Sequence, residues 1–187
     1  HLAEFTSLLS MITATLGKIA HEIILLQKSE LGEVEELFEH GKVGSSTMPQ
    51  KRNPMLCESI LTLARLTRVQ TLTAVDAMMH EHERDWSSFQ MEWAYLPEIC
   101  VMAHGALELS LRVLRDLQVY PSVMARNLEI THGTLLAERV MLELGRFVGR
   151  QTAHDLIYEA AMESYEHSIP FSEVLQNNAL IMTYLTA

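Results

Sequence analysis

Apolar residues recur at steps of three and four over long stretches of this chain, and this pattern constrains the fold more than any other feature. The first series predicts a helix of about seven turns. A second helix is expected after Pro54, and a third from Ser87 or Ser88 to about Leu117. The series expected to face inward are Leu2, Phe5, Leu8, Leu9, Ile12, Leu16, Ile19, Ile23 and Leu26, then Leu56, Ile60, Leu63, Leu66, Val69, Leu72, Val75 and Met79, then Met91, Tyr95, Ile99, Met102, Ala106, Leu109 and Val113.

Shorter helical patterns follow over about residues 122–128, 135–148, 151–167 and 171–176. No segment alternates with period two over a strand's length, so the chain is predicted to be all-α. We expect a long-helix bundle over residues 1–120, containing a loop at 44–54, and a small helical C-terminal domain over 121–187. Three long helices leave apolar faces open, so other subunits are expected to complete the bundle. Both termini lie inside helical patterns, which indicates a piece of a longer protein.

Charge and composition exclude several classes of protein. The net charge of -10 over 187 residues argues against non-specific nucleic-acid binding, which needs a basic face. No apolar run reaches the roughly 18 residues of a membrane span, and no signal peptide is found. Cys57 and Cys100 lie in apolar helical patterns without metal-ligand spacing, so they are expected to be buried free thiols in a reducing cytoplasm.

The sequence GSSTMPQKRNP, from Gly44 to Pro54, places many hydrogen-bond donors between two long helices. One interpretation is an ordinary loop between helices. The other is a concave anion site, because the loop combines hydroxyl, ammonium and amide donors with a glycine that frees backbone N–H groups. A serine whose alkoxide is stabilised by such donors can act as a base. The candidate residues are Ser45, Ser46, Thr47, Lys51 and Asn53.

This loop resembles the signature G-S-S-x-M-P-x-K-x-N-P of the fumarase/aspartase superfamily, and every fixed position is filled. The resemblance implies cleavage of a C–N or C–O bond beta to a carboxylate, with no metal or organic cofactor. Ser45 would be the base. Lys51 and Asn53 would hold the carboxylate as it becomes a dianion, Ser46 and Thr47 would also bind substrate, and Met48 would line the pocket. Removing one donor to such a developing charge typically costs about 2.7–4 kcal/mol.

A second polar segment, HEHERDWSSFQMEWAYLPE at residues 80–98, is a charged turn before a helix on one interpretation. It also resembles the branch that holds adenylosuccinate lyase and 3-carboxy-cis,cis-muconate cycloisomerase, in which Arg84 would contact substrate. Adenylosuccinate lyases carry a serine and an arginine that bind phosphate where this chain has Phe89 and Trp93. Neither aromatic side chain can replace an arginine–phosphate fork. Both resemble the cycloisomerases and are expected to shape the pocket.

The resemblance therefore predicts a lyase or cycloisomerase of the 3-carboxy-cis,cis-muconate cycloisomerase type, which serves aromatic degradation and acts on a small di- or tricarboxylate. It would remove a proton next to a carboxylate and eliminate or add a carboxylate oxygen, so that the carboxymuconate and its lactone interconvert. Adenylosuccinate lyase, or a related C–N lyase releasing fumarate, is the alternative; an inactive helical assembly fragment is an alternative of another class. The resemblance also implies a cytoplasmic homotetramer whose active sites are shared by three subunits. The general-acid histidine would come from a part that precedes this chain, so the 187 residues alone are expected to be inactive. No catalytic role is assigned to His21, His40, His104, His132 or His154.

Overall fold

Three long helices form where the apolar series predicted them. In the computed structural model, which describes residues 1–37, 48 and 51–185, α1 spans Leu2–Leu26, α2 spans Met55–Asp76 and α3 spans Trp86–Asp116. Asp85 caps α3 by accepting a hydrogen bond from the backbone N–H of Ser87 at 3.1 Å. The all-α prediction is confirmed. These helices belong to a compact unit, His1–Tyr120, which we call the long-helix unit; Pro121–Ala187 forms the C-terminal unit.

The face that α1 and α2 turn toward each other is made of small residues rather than the large apolar ones. A Cβ atom added to Gly17 would lie 3.1 Å from Cβ of Ala64, so the two helices approach closely there. Large side chains would hold the backbones apart at such a crossing. The buried residues are Thr6, Ser10, Thr13, Gly17, Ala20 and Ile23 of α1, and Cys57, Ile60, Ala64, Thr67, Thr71 and Ala74 of α2.

The expectation that the large apolar residues of α1 and α2 face inward is therefore mostly wrong within the long-helix unit. Ile23 and Ile60 are buried, as predicted. The members of these series that stay exposed are Phe5, Leu8, Ile12, Ile19, Leu66, Val69, Leu72, Val75 and Met79. The prediction for α3 is more successful, because Tyr95, Ile99, Ala106 and Val113 are all buried.

A two-stranded ribbon joins the ends of α1 and α3, which the sequence did not predict. Strand β1, Val34–Glu35, pairs antiparallel with β2, Gln118–Val119. The chain reaches β1 through a turn at Gly32, whose φ of 62° favours glycine. Two-residue strands are too short to leave an alternating pattern, so the ribbon became visible only in the structure.

The C-terminal unit contains five helices among its described residues. They are α4 at Pro121–Leu128, α5 at Ala137–Val148, α6 at Arg150–His167, α7 at Phe171–Asn177 and α8 at Ala179–Tyr184. The helix expected from residue 135 begins at Ala137, after a 3-10 turn at Thr134–Leu136, and α8 was not predicted. Short 3-10 turns and six-residue helices lack enough periodic positions to be recognised. The core of this unit consists of Leu144, Ala153, Ile157, Ala160, Phe171, Val174 and Ile181.

Two expectations about α1 and the cysteines need correction. Among the described residues, α1 alone is long and apolar enough to satisfy the length and composition condition for a membrane span. The core helix of a soluble protein can satisfy the same condition.

Cys57 is buried as predicted, but Cys100 is exposed. Cys100 lies on the outward side of α3 between buried Ile99 and exposed Val101, so an apolar neighbourhood in sequence did not imply burial.

Candidate active site

The described part of the signature loop lines a cleft at the beginning of α2. Met48, Lys51 and Asn53 border it, and the cleft has a volume of about 1050 Å³. The end of α1, Tyr120 and the first turn of α2 form its other walls; the remaining polar lining includes Gln27, Lys28, Glu30, Arg52 and Glu58. Such a cleft, with an ammonium group and an amide on one wall, can receive a carboxylate.

Lys51 is exposed and Asn53 half-buried, so both can reach a ligand in the cleft. The backbone N–H of Lys51 donates to the carbonyl oxygen of Met48 at 3.0 Å. Ser45, Ser46 and Thr47 lie outside the described residues, so their proposed roles rest on the sequence.

A buried carboxylate binds the first turn of α2, directly after the signature loop. Glu36, only 7% exposed, accepts hydrogen bonds from the backbone N–H groups of Leu56 and Cys57, both at 3.0 Å. Its own N–H donates to Oε1 of Gln27 at 2.8 Å. The carboxylate thus satisfies free N–H groups of the first helical turn, where a negative charge is also favourable. Glu36, which precedes the loop, is thus bound directly to Leu56 and Cys57, which follow the loop.

Replacing Glu36 by alanine should lower the free energy of unfolding by about 1–3 kcal/mol, because two N–H groups at a buried helix start would lose their acceptor. Urea titration followed by circular dichroism measures this loss. Glu30→Ala is a matched control, because Glu30 is exposed near the end of α1. Equal unfolding free energies for Glu36→Ala and the unmodified chain would contradict the capping role.

Cys57 follows the loop but is unsuited to act as a nucleophile. Burial, together with the neighbouring Glu36 carboxylate, raises the pKa of its thiol to about 12. The thiol therefore stays neutral at physiological pH, and its thiolate, the reactive form, is not available.

The second set of predicted site residues consists of Arg84, Phe89 and Trp93. Arg84 lies at the turn between α2 and α3. It is exposed and has a φ of 57°, and His82 two residues earlier has a φ of 56°. Non-glycine residues rarely adopt this conformation, and such strain is common at functional sites. Asp85 and the two serines that follow Trp86 serve as the cap of α3: Ser87 Oγ donates to Asp85 at 2.9 Å, and these bonds lower the pKa of the Asp85 carboxyl. The segment RDWSS therefore has a structural role as a helix start.

Phe89 and Trp93 form an aromatic cluster with Trp86 on the first turns of α3. The ring centroids lie 4.9 Å apart for Phe89 and Trp93, and 5.9 Å apart for Trp86 with each of the other two. Phe89 is 39% exposed and Trp93 61% exposed, so the cluster presents its rings outward. Trp86 was not among the predicted site residues, although its spacing of three and seven from the other two was visible in the sequence.

The structure does not bring the two sets of predicted residues together within one chain. Lys51 and Asn53 precede α2, whereas Arg84, Phe89 and Trp93 follow it. With 22 residues at about 1.5 Å each, α2 separates the two sets by about 33 Å. A single small substrate cannot touch both ends. Among the described residues, no group of three or more His, Cys, Asp or Glu side chains is arranged to hold a metal ion.

Two family models match different parts of the chain. A family model described as "Lyase" matches residues 1–70, and one described as "Adenylosuccinate lyase C-terminus" matches residues 133–187. The chain is 45% identical over 186 residues to the N-acetyl-S-(2-succino)cysteine lyase of Enterococcus italicus. The matched region covers 99% of this chain and 41% of that protein. It is 42% identical over 186 residues to the adenylosuccinate lyase of Methanothermobacter thermautotrophicus, covering 98% of this chain and 41% of that one.

A solved structure shows the same fold. The 3-carboxy-cis,cis-muconate lactonizing enzyme of Pseudomonas putida superposes with a TM-score of 0.85 at 35% identity, over 99% of this chain and 41% of that chain. The present chain thus spans about 41% of the length of each of these relatives.

Proposed function

Because this chain belongs to the fumarase/aspartase superfamily, we propose that the full-length protein is a lyase-type enzyme that removes a proton next to a carboxylate and expels a group from the neighbouring carbon. The observation that carries the proposal is the cleft at the start of α2, where Lys51 and Asn53 share one wall. Ser45 is assigned as the base, and Ser46, Thr47, Lys51 and Asn53 as carboxylate ligands.

The reaction needs no change in oxidation state. The C–H bond next to the carboxylate breaks and its proton passes to the Ser45 hydroxyl oxygen, which must first be deprotonated. The electron pair spreads into the carboxylate, whose second negative charge Lys51 and Asn53 stabilise. As the C–C double bond forms, the bond from the neighbouring carbon to its leaving group breaks. Stabilising the developing charge is the main contribution of these donors.

Within this class we propose a cycloisomerase-like reaction, with interconversion of 3-carboxy-cis,cis-muconate and its lactone in the cytoplasm. The leaving group in the lactone is a carboxylate oxygen. The aromatic cluster at the start of α3 supports this choice, because Phe89 and Trp93 offer apolar rings where a phosphate-binding site needs hydroxyl and guanidinium donors. A role in aromatic degradation belongs to the same proposal.

A second candidate is cleavage of a succinyl thioether, favoured by the 45% identity to N-acetyl-S-(2-succino)cysteine lyase. In such a thioether, one carbon carries a C–H bond next to a carboxylate and its neighbour carries the sulfur. The same proton removal would therefore expel a thiolate and leave fumarate. The third candidate, adenylosuccinate lyase, has support from the 42% identity to one such enzyme, but its substrate brings a phosphate group.

We also propose that the protein is a homotetramer with active sites shared between subunits. The separation of about 33 Å along α2 means that Lys51 and Arg84 can meet at one substrate only if they come from different chains. Exposed apolar residues on α1 and α2, such as Leu8, Leu66 and Leu72, supply faces for the other subunits.

Steady-state kinetics of the full-length protein on carboxymuconolactone, N-acetyl-S-(2-succino)cysteine and adenylosuccinate tests the proposal. We expect turnover of the lactone, and the 187-residue chain alone should be inactive on all three substrates. The double substitution Phe89→Ser with Trp93→Arg should strengthen inhibition by inorganic phosphate, because it supplies the missing donors. Turnover of adenylosuccinate but not of the lactone would overturn the choice of branch, and turnover of the thioether alone would favour the second candidate.

A further inference from the structure

The end of the signature loop is held by the carboxylate of Glu35, the residue before Glu36. Oε2 of Glu35 accepts a hydrogen bond from the hydroxyl of Tyr120 at 2.8 Å, and Oε1 accepts one from Nη1 of Arg52. These two partners come from distant parts of the chain. Arg52 lies between Lys51 and Asn53, and Tyr120 ends the long-helix unit.

Glu35 is itself firmly placed by backbone pairing. It belongs to β1 and lies opposite Gln118 of β2, and the backbone N–H of Tyr120 donates to the carbonyl oxygen of Glu33 at 2.9 Å. The ribbon thereby sets both the Glu35 carboxylate and the Tyr120 hydroxyl. A guanidinium bound to this carboxylate is therefore tied to the paired backbone of the ribbon.

We propose that Glu35 is a positioning residue for the reaction: by holding Arg52 against the ribbon, it fixes the directions in which Lys51 and Asn53 enter the cleft. The proposal rests on the proposed function of those two residues. Glu35, Arg52 and Tyr120 line the same cleft as Lys51 and Asn53. Arg52 has covalent neighbours on both sides that are carboxylate ligands, so a displacement of its backbone moves both.

The ion pair is poorly placed to serve mainly as a source of stability. The Arg52 side chain is 55% exposed and that of Glu35 is 17% exposed. Exposed ion pairs contribute little to folding, because water screens the charges and two long side chains must be ordered. Misplacing a catalytic group by about 1 Å, in contrast, can cost about 100-fold in rate. The kinetic effect of losing the pair should therefore exceed its effect on stability.

Kinetics of the full-length protein test this assignment. Glu35→Ala should lower kcat/KM about 10- to 100-fold, with both a lower kcat and a higher KM, because Lys51 and Asn53 act in the ground state and the transition state. Glu35→Gln, which keeps the shape of the side chain and one acceptor oxygen, should restore part of the activity, and Tyr120→Phe should cause a smaller loss. Glu108→Ala, at an exposed position of α3, is the matched control.

A double-mutant cycle shows whether Glu35 acts through Arg52. If it does, Glu35→Ala combined with Arg52→Ala should cost about as much as the larger single loss, since the second change removes an interaction already broken. Losses that multiply, or wild-type kcat and KM in Glu35→Ala, would overturn the proposal.

Hydrogen exchange gives a readout that does not need turnover. Deuterium uptake of a peptide covering residues 51–57 should rise in Glu35→Ala and Glu35→Gln relative to Glu108→Ala, because the loop end has lost its support. Unchanged uptake would contradict the positioning role even if activity falls. If the unmodified protein acts on none of the three substrates while uptake rises, the proposed function has failed and the loop support stands.

Discussion

Replacing Ser45 by alanine in the full-length protein should lower kcat by about 100- to 10,000-fold, the range that a positioned general base contributes. KM should change little, because the hydroxyl oxygen acts mainly when the proton moves and the carboxylate ligands Lys51 and Asn53 remain in place. This separation of kcat from KM is the kinetic signature of a base. A residue that only binds substrate would raise KM instead.

Ser59→Ala is the matched control for this change. Ser59 is an exposed serine on the first turns of α2, where its hydroxyl donates to the carbonyl oxygen of Met55 at 2.8 Å. It lies close to the signature in sequence without belonging to it. Near-normal turnover by Ser45→Ala would exclude the serine-base mechanism for every candidate substrate, and an equal loss in both variants would indicate a general disturbance of the region.

The three long helices could be predicted from sequence, but the faces that α1 and α2 bury could not. Steps of three and four fix a helix and its apolar side, and they placed α3 and its inward residues Tyr95 and Ile99 well. In α1 and α2 the chain buries small residues such as Gly17 and Ala64 instead, because closely packed backbones exclude large side chains. The apolar side of a helix need not face a helix of the same chain, and periodicity alone cannot distinguish the two cases.

The candidate residues of the site could be named from two motifs, yet the contacts that support them could not. Glu35 and Glu36 are adjacent acidic residues in an acidic connector, and nothing in the sequence indicates that one caps α2 while the other holds Arg52. Such pairings join residues far apart in the chain, so they depend on the tertiary fold. The motifs also leave open whether Lys51 and Arg84 lie together, and the length of α2 decides that they do not within one subunit.

Lys51→Ala and Arg84→Ala should each lower kcat/KM by about 100- to 1000-fold if each removes one donor to a developing or bound negative charge. Mixed together, the two inactive proteins should regain activity. In a hybrid tetramer, the intact signature loop of an Arg84→Ala subunit can face the intact α3 start of a Lys51→Ala subunit. One fully functional site then forms although no single chain is intact.

The control for this mixing experiment is a mixture of Ser45→Ala and Lys51→Ala, because both substitutions lie in the signature loop. Every site receives its signature loop from one subunit, so no combination of these two variants yields an intact loop. This mixture should stay inactive, and sedimentation should show that all variants keep the oligomeric state of the unmodified protein.

The most direct test of a lyase site assembled from separate chains is the activity of the Lys51→Ala and Arg84→Ala mixture. It is measured after the subunits have been unfolded together and refolded. We predict that turnover appears in the mixture and is absent from each variant alone. Mass spectrometry that shows hybrid tetramers, together with turnover no higher than in the separate variants, would contradict it.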